Sequence, residues 1–213
     1  MQKKFTSGFS LLALIILTMI GAFSFSTFSQ TKIEKMTTGD GPKDLPGSRV
    51  DDYLKISSLG LAIGQTWLSG DYASYGKDGI SWDIYYDYSA SHSFDLLVDF
   101  HWNQFSNDSG GKETQVGLVP SAKIKFYQFD NFTPYVILGL GFYIPEVTSP
   151  TYDSEAKIVL GTSYGLGIDL RLNRKFKFGA IYQIHNPFDV SQPNGSDLEG
   201  SYSKLLLVGF YSF

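Results

Sequence analysis

Residues 158–171 read IVLGTSYGLGIDLR. From Leu160 to Arg171, large apolar side chains alternate with small or charged residues, and Thr162 is the one exception. A hydrophobic period of two is typical of a β-strand with one apolar face. The opposite face of this strand carries glycine, serine and charge, as in a narrow barrel whose outer surface meets lipid. The stretch therefore predicts a membrane-spanning β-strand.

Seven further runs between residues 54 and 213 repeat this alternation, some of them less regularly. The connections between the eight runs alternate without exception between short and long. The short ones are 89–93, 128–132 and 173–175, and the long ones are 69–79, 106–113, 145–155 and 186–201. Short periplasmic turns and longer external loops are typical of bacterial outer-membrane barrels. The pattern predicts an all-β fold over residues 54–213, an eight-stranded antiparallel transmembrane β-barrel in an up-and-down meander.

The composition fits this class better than the alternative, a secreted soluble barrel. Aromatic residues make up 16% of the chain and charged residues only 18%. A soluble barrel would place its large apolar residues inside and its polar residues outside. The formal charge is −4 with no long basic run, which excludes a nucleic-acid partner. The absence of cysteine excludes disulfides, thiolate metal sites and a cysteine nucleophile.

The N-terminus has the three parts of an export signal. Lys3 and Lys4 supply positive charge, residues 11–20 are apolar, and small residues follow near Ser29. We predict a cleaved signal peptide over residues 1–29, a periplasmic linker over 30–53 and an outer-membrane location. An uncleaved anchor helix is the alternative, but the apolar stretch is shorter than the ~20 residues that a span requires.

Pro120 interrupts the fourth run, where it cannot donate a hydrogen bond to a neighbouring strand. A β-bulge is one explanation. A local gap in the barrel wall is the other.

Three motifs carry a family resemblance. They are Thr133-Pro134-Tyr135-Val136 with Gly139-Leu140-Gly141, Tyr164 to Asp169 with the Asn173-Arg174 turn, and the closing Gly209-Phe210-Tyr211-Ser212-Phe213. With these motifs the chain resembles the small outer-membrane barrels of the OmpA/OmpX/OmpW group. The resemblance implies contact with outer-membrane lipid and lipopolysaccharide. It also implies that Tyr211 and Phe213 are the aromatic signal read by the barrel-assembly machinery.

Inward-facing positions of several runs carry charge, with four acids and four bases at similar height. They are Asp87, Asp95, Asp99, Lys123, Lys125, Asp169, Arg171 and Lys177. Isolated charges in a narrow lumen are costly, whereas paired charges are tolerated. The pattern predicts a self-neutralising plug in the periplasmic half of the lumen. A gated path for ions or small solutes is the alternative.

Enzymatic chemistry finds little support in the sequence. A lipid A-modifying barrel needs a serine nucleophile beside a histidine base. His92 lies in a predicted periplasmic turn, and His101 and His185 are predicted to meet only near the outer rim with no serine between them. The loop carboxylates lack the spacing of a calcium site. We therefore expect no catalytic residue, no metal site and no cofactor.

These patterns favour a non-enzymatic envelope protein, structural or surface-interacting, with a charge-plugged narrow lumen. Its long loops, rich in tyrosine, asparagine, serine and glycine, suit contact with a surface ligand. The alternative is an OmpW-like channel for small or hydrophobic solutes, lined by the apolar inward residues Leu97, Val119, Ile137 and Ile181. A lipid A-modifying enzyme is the least favoured of the three.

Overall fold

The computed structural model of the chain describes residues 55–107, 110–126, 131–149, 152–154, 156–191 and 197–213. The predicted signal peptide and linker, residues 1–53, lie outside this part of the chain.

Eight long strands dominate the described residues. They are β1 (Ser57–Gly70), β2 (Gly79–Ser89), β3 (Phe94–Ser106), β4 (Lys112–Lys125), β5 (Phe132–Ser149), β7 (Val159–Arg171), β8 (Phe176–Pro187) and β11 (Gly200–Ser212). The short elements are helix α1 (Asp71–Tyr75) and strands β6 (Tyr152–Asp153), β9 (Val190–Ser191) and β10 (Asp197–Leu198). No helix in the described ranges is long and apolar enough to cross a membrane.

The long strands form a closed barrel. Each pairs antiparallel with the long strand that follows it, and β11 returns to pair with β1 from Ser58↔Ser212 to Gly70↔Gly200. A closed sheet leaves no unpaired edge, as a barrel in lipid requires. The predicted eight-stranded antiparallel meander is confirmed.

The wall separates the two faces of each strand as the alternation predicts. Outward leucine, isoleucine and aromatic side chains are widely exposed, including Leu61, Leu140, Leu166, Phe178 and Leu207. Their inward neighbours are buried or half-buried. Such an apolar outer band matches the lipid-facing surface of a membrane barrel. The facing of β11 did not follow from its sequence, because β11 is apolar on both sides; Tyr202, Lys204, Leu206, Val208 and Phe210 point inward.

The structure corrects the prediction that short and long connections alternate strictly. β3 and β4 remain paired to Ser106↔Lys112, so their connection shrinks to residues 107–111 and is shorter than the turn at 126–131. The strict length alternation therefore fails at this loop. Inward Phe105 and Val147 prolong the strands because both pack into a buried apolar cluster with Leu68 and Tyr143.

Pro120 causes no bulge. Its strand keeps one register with β3 throughout, with Pro120 opposite Val98. Pairing with β5 stops at Leu118↔Phe142 and resumes in the same register at Ser121↔Gly139. Proline has no backbone N–H to donate, so the wall contains a local interruption of pairing instead of an inserted residue.

Candidate functional site

The lumen holds a network of buried ion pairs, called here the lysine network. Its members are Asp87, Asp95, Lys123, Lys125, Asp169 and Lys177. At its centre, the Nζ of Lys123 lies 2.5 Å from Asp169 Oδ2, 3.4 Å from Asp87 Oδ2 and 3.9 Å from Asp95 Oδ2. Lys123 is fully buried. One ammonium group therefore joins carboxylates from β2, β3 and β7 across the lumen.

The other two lysines complete the charge balance. Lys125 Nζ lies 2.6 Å from Asp95 Oδ1 and also donates to the Ser91 carbonyl in the adjacent turn at 3.0 Å. Lys177 donates to Asp87, and its Nζ lies 3.8 Å from Asp169 Oδ2. Three lysines and three aspartates neutralise one another, which is the arrangement that buried charges require.

Aromatic rings cover the ammonium groups of this network. Lys123 Nζ lies 4.3 Å from the centroid of the Tyr135 ring, and Lys177 Nζ lies 4.5 Å from that of Phe210. The negative face of an aromatic ring attracts a cation within about 6 Å of its centroid. The rings thus fill the lumen and add to the stabilisation of the buried lysines.

Six of the eight charged residues singled out in the sequence meet in this network. Arg171 lies at the end of β7, half-buried and in register with Lys177. Asp99 lies apart from the three lysines and faces two histidines, which corrects its predicted place among the lysines. The physical reason is the position of Asp99 on β3, four residues further from the turn than Asp95.

A second group, called here the histidine cluster, consists of Asp99, His101 and His185 with Tyr143 and Tyr202. Asp99 Oδ2 lies 3.1 Å from His101 Nδ1 and 3.7 Å from His185 Nε2. The two imidazole rings lie 5.0 Å apart between centroids. Both histidines are fully buried. They therefore meet inside the lumen, not at the outer rim as the sequence suggested.

Each histidine has a tyrosine partner. His101 Nε2 lies 2.7 Å from the Tyr202 hydroxyl, and His185 Nδ1 lies 3.1 Å from the Tyr143 hydroxyl. The ring of Tyr202 also stacks on that of His185, with centroids 4.8 Å apart. These contacts fix the orientation of both imidazoles.

Next to the histidine cluster lies an ion pair that sequence reasoning did not assemble. Lys204 Nζ lies 3.0 and 2.9 Å from the two carboxylate oxygens of Asp83. Asn103 donates to Asp83 Oδ1 at 3.2 Å. The inward position of Asp83 was evident from its alternation, but its partner lies on β11, the strand whose facing was ambiguous.

Helix α1 crosses the mouth of the barrel at the end that carries the longer loops. It contacts β1 and β11 on one side and β4 and β5 on the opposite side. Its Tyr72 is fully buried against Leu68, Phe105, Val147 and Tyr202. Burial, followed by the nearby Glu113 carboxylate, raises the pKa of the Tyr72 phenol, which stays neutral at physiological pH. The helix therefore caps the lumen with an uncharged phenol.

Beside the cap lies an open cleft of about 620 Å³ at the rim. Its lining includes three acidic residues, Asp71, Asp189 and Glu199, together with Phe188 and Pro187. Asp71 is held by the backbone N–H of Glu199, which donates to its Oδ2 at 2.9 Å. The cleft thus presents negative charge at the rim.

The C-terminal aromatic residues point away from the lumen. Tyr211 is 44% exposed and its ring lies 5.3 Å from that of Phe176, while Phe213 is 72% exposed. Neither residue belongs to the buried core.

Three solved structures share this fold. Neisserial surface protein A is 14% identical over 75% of this chain and 97% of its own, with a TM-score of 0.57. Ail, the attachment invasion locus protein of Yersinia pestis, is 15% identical over 75% and 99%, with a TM-score of 0.50. Outer membrane protein AlkL is 11% identical over 84% and 97%, also with a TM-score of 0.50. At these identities the likeness is one of fold.

A family model described as an outer membrane protein beta-barrel domain matches residues 49–208. No curated protein matches the sequence. The match covers the described strands β1 to β8 and most of β11.

Proposed function

Since the chain belongs to the outer membrane protein beta-barrel family, we propose that it is a non-enzymatic barrel whose lumen is closed by its own side chains. In this role it serves as a structural or surface-interacting component of the envelope. Its outward apolar band contacts outer-membrane lipid and lipopolysaccharide, and its longer loops face a surface ligand.

The lysine network is the observation that carries this proposal. Water or ions passing the network would have to separate Lys123 from Asp169 and Asp87, all of which are buried. Breaking a buried pair leaves an uncompensated charge, at a cost of about 3–5 kcal/mol. A path that demands this separation at every passage is a poor conduit.

Apolar packing supports the same conclusion. The inward residues proposed above as a conduit lining, Leu97, Val119, Ile137 and Ile181, are at most 1% exposed. Three of them pack in one cluster with Tyr85 and Phe210. An eight-stranded barrel has an interior just wide enough for side chains to fill. These residues thus fill the lumen instead of lining a passage.

The arrangement of histidines weighs against an enzyme. His92 is exposed in the turn between β2 and β3. Among the described residues, the side chains of Asp99 and Tyr202 hydrogen-bond to His101, and that of Tyr143 hydrogen-bonds to His185. A serine nucleophile needs a base within about 2.6–3.2 Å, and neither buried histidine has a serine among these partners.

The purified barrel is expected to be silent in planar bilayers, because two closures stand in series. The cap at Tyr72 closes one end and the lysine network lies further along the lumen. The double variant Tyr72→Ala/Lys123→Ala, which opens both, is expected to give discrete conductance steps. Single-channel recording of both proteins, with and without small hydrophobic solutes, checks this.

Large or solute-sensitive openings in the unmodified protein would overturn the closed-lumen proposal. Each variant is first checked for folding by the difference in electrophoretic mobility between heated and unheated samples. Arg171→Ala is the matched comparison, because it removes a half-buried charge from the same end of the barrel. If the lumen is closed, removing either charge, Lys123 or Arg171, should make the barrel leak or lose stability. If the lumen is a conduit, the same substitutions should change which solutes pass while the barrel still folds.

A narrow conduit is the second candidate, favoured by one observation. The pairing between β4 and β5 is interrupted at Val119 and Pro120 opposite Leu140 and Gly141. Hydrophobic solutes could leave through such an interruption toward lipid. Solute-sensitive openings in the recordings above would favour this candidate.

We further propose that Tyr211 and Phe213 are read by the barrel-assembly machinery. The exposure of Phe213 indicates that it contributes little to the folded core. Phe213→Ala should therefore lower the amount of assembled barrel in cells severalfold while shifting the unfolding midpoint of refolded protein little. Cell fractionation and urea unfolding measure the two effects. An equal loss of stability and of assembly would contradict a recognition role.

A further inference from the structure

We propose that Asp99, His101 and His185 form a binding site for one divalent transition-metal ion inside the barrel. The ligand atoms are a carboxylate oxygen of Asp99, Nδ1 of His101 and Nε2 of His185. Two imidazoles and one carboxylate suit zinc and its first-row neighbours, such as cobalt, nickel and copper. The sequence predicted no metal site, because His185 is distant in sequence from Asp99 and His101 and lies on another strand.

The spacing of the ligand atoms fits a metal ion. All three lie within 4.8 Å of one another. Asp99 Oδ2 is 3.1 Å from His101 Nδ1 and 3.7 Å from His185 Nε2. Nitrogen and oxygen ligands lie ~2.1 Å from zinc, so two ligands of a tetrahedral ion are separated by roughly 3.4 Å. The observed distances fall on both sides of that value.

Two buried atoms of the cluster lack a hydrogen-bond partner among the described residues. They are Asp99 Oδ1 and His185 Nε2. His185 Nε2 is 3.7 Å from the nearest Asp99 oxygen, which is too long for a direct hydrogen bond. Unsatisfied buried polar atoms are costly. A cation bound between the two residues would satisfy both atoms together.

The outer nitrogens of both histidines carry the hydrogen bonds that metal-binding imidazoles usually make. His101 Nε2 contacts the Tyr202 hydroxyl and His185 Nδ1 contacts the Tyr143 hydroxyl. Partners on the outer nitrogen orient the imidazole ring and direct its other nitrogen toward the metal. Here the orientation leaves His101 Nδ1 and His185 Nε2 directed at Asp99.

Local charge also calls for a cation. Asp83 and Asp99 are both fully buried in this layer, and Lys204 binds Asp83 through both carboxylate oxygens. Asp99 is left facing two imidazoles. A divalent ion held by Asp99 would offset its charge without requiring either buried histidine to ionise.

The ion would link opposite walls of the barrel. β3 supplies Asp99 and His101 while β8 supplies His185, and these strands lie on opposite sides of the closed sheet order. Since all three residues are fully buried, the metal would enter while the barrel folds. Three protein ligands also leave room for a fourth, which is the coordination number that zinc favours.

The test uses the full barrel without an affinity tag, refolded in the presence of Co²⁺ and then freed of loose metal. Cobalt in a tetrahedral site gives intense visible absorption, and elemental analysis gives the stoichiometry. We expect one ion per barrel. Asp99→Asn and His185→Gln should abolish metal binding. Tyr143→Phe should raise the Kd for the metal by about 10–100-fold, as does the loss of a hydrogen-bond partner of a metal ligand.

His92→Gln is the matched control, because it removes the remaining histidine of the chain from an exposed turn. It should leave stoichiometric binding unchanged. Equal binding in His185→Gln and the unmodified protein, or loss of binding in His92→Gln, would overturn the site. So would refolded protein that holds no Co²⁺ or Zn²⁺.

A second measurement covers the case in which the ligand variants fail to fold. Diamagnetic Zn²⁺ added during refolding of ¹⁵N-labelled protein should shift the imidazole signals of His101 and His185 and leave those of His92 in place. Imidazole spectra that are identical with and without Zn²⁺ would overturn the proposal without any substitution.

Discussion

Lys123→Ala is expected to destabilise the barrel by about 3–5 kcal/mol, the cost of removing one partner from a buried ion pair. The variant removes the ammonium group closest to Asp169 and leaves Asp169 and Asp87 with Lys177 alone. It also empties the space above the Tyr135 ring. Unfolding by urea, followed by tryptophan fluorescence in lipid vesicles, measures the difference.

Two further variants test whether the loss comes from breaking the buried ion pair. Lys175→Ala removes a lysine from an exposed turn and should change stability by less than about 0.5 kcal/mol. Lys123→Met/Asp169→Asn keeps most of the volume and neutralises the closest pair, so it should regain part of the lost stability. A double variant no more stable than Lys123→Ala would contradict the assignment of this loss to an unpaired buried carboxylate.

Gly64→Ala is expected to cost about 3 kcal/mol, the upper part of the usual range for an overpacked core. A Cβ atom at this position would lie 1.9 Å from the Leu205 carbonyl oxygen and 2.8 Å from Leu206 Cα. Both are backbone atoms of β11, which closes the barrel against β1. The clash can be relieved only by separating the two strands.

Gly209→Ala is the control on the same pair of strands. Its added Cβ would meet only the ring of Phe178, at 3.3 Å and beyond, and this outward ring can move. We expect a change below about 1 kcal/mol. Urea unfolding measures both changes. Equal destabilisation by the two substitutions would show that the seam between β1 and β11 tolerates no added side chain on either face.

The fold followed from alternation because a period of two assigns each residue to the lipid or to the lumen. The pattern in β7, for example, placed Asp169 inward and Leu170 outward, as the structure has them. It failed to orient β11, where leucine and valine occupy both faces. Lys204 was missed for that reason, and with it the ion pair to Asp83.

Alternation also carries no information about which inward residues of distant strands meet. His101 and His185 are 84 positions apart, and their contact depends on strand tilt and on the offset between paired strands. Asp95 and Asp99 share one face of β3, yet one binds lysine and the other faces histidine. Helix α1 was likewise invisible, since its five residues lie in a polar stretch whose burial depends on the assembled wall.

Helix α1 has a consequence for the order of assembly. Its contacts lie on β1 and β11 and on the opposing pair β4 and β5, so the full set requires all four strands. The helix can complete its docking only after the first and last strands have joined. Docking of Tyr72 thus marks the end of folding, and the unfinished barrel keeps an open mouth until its C-terminal strand is in place.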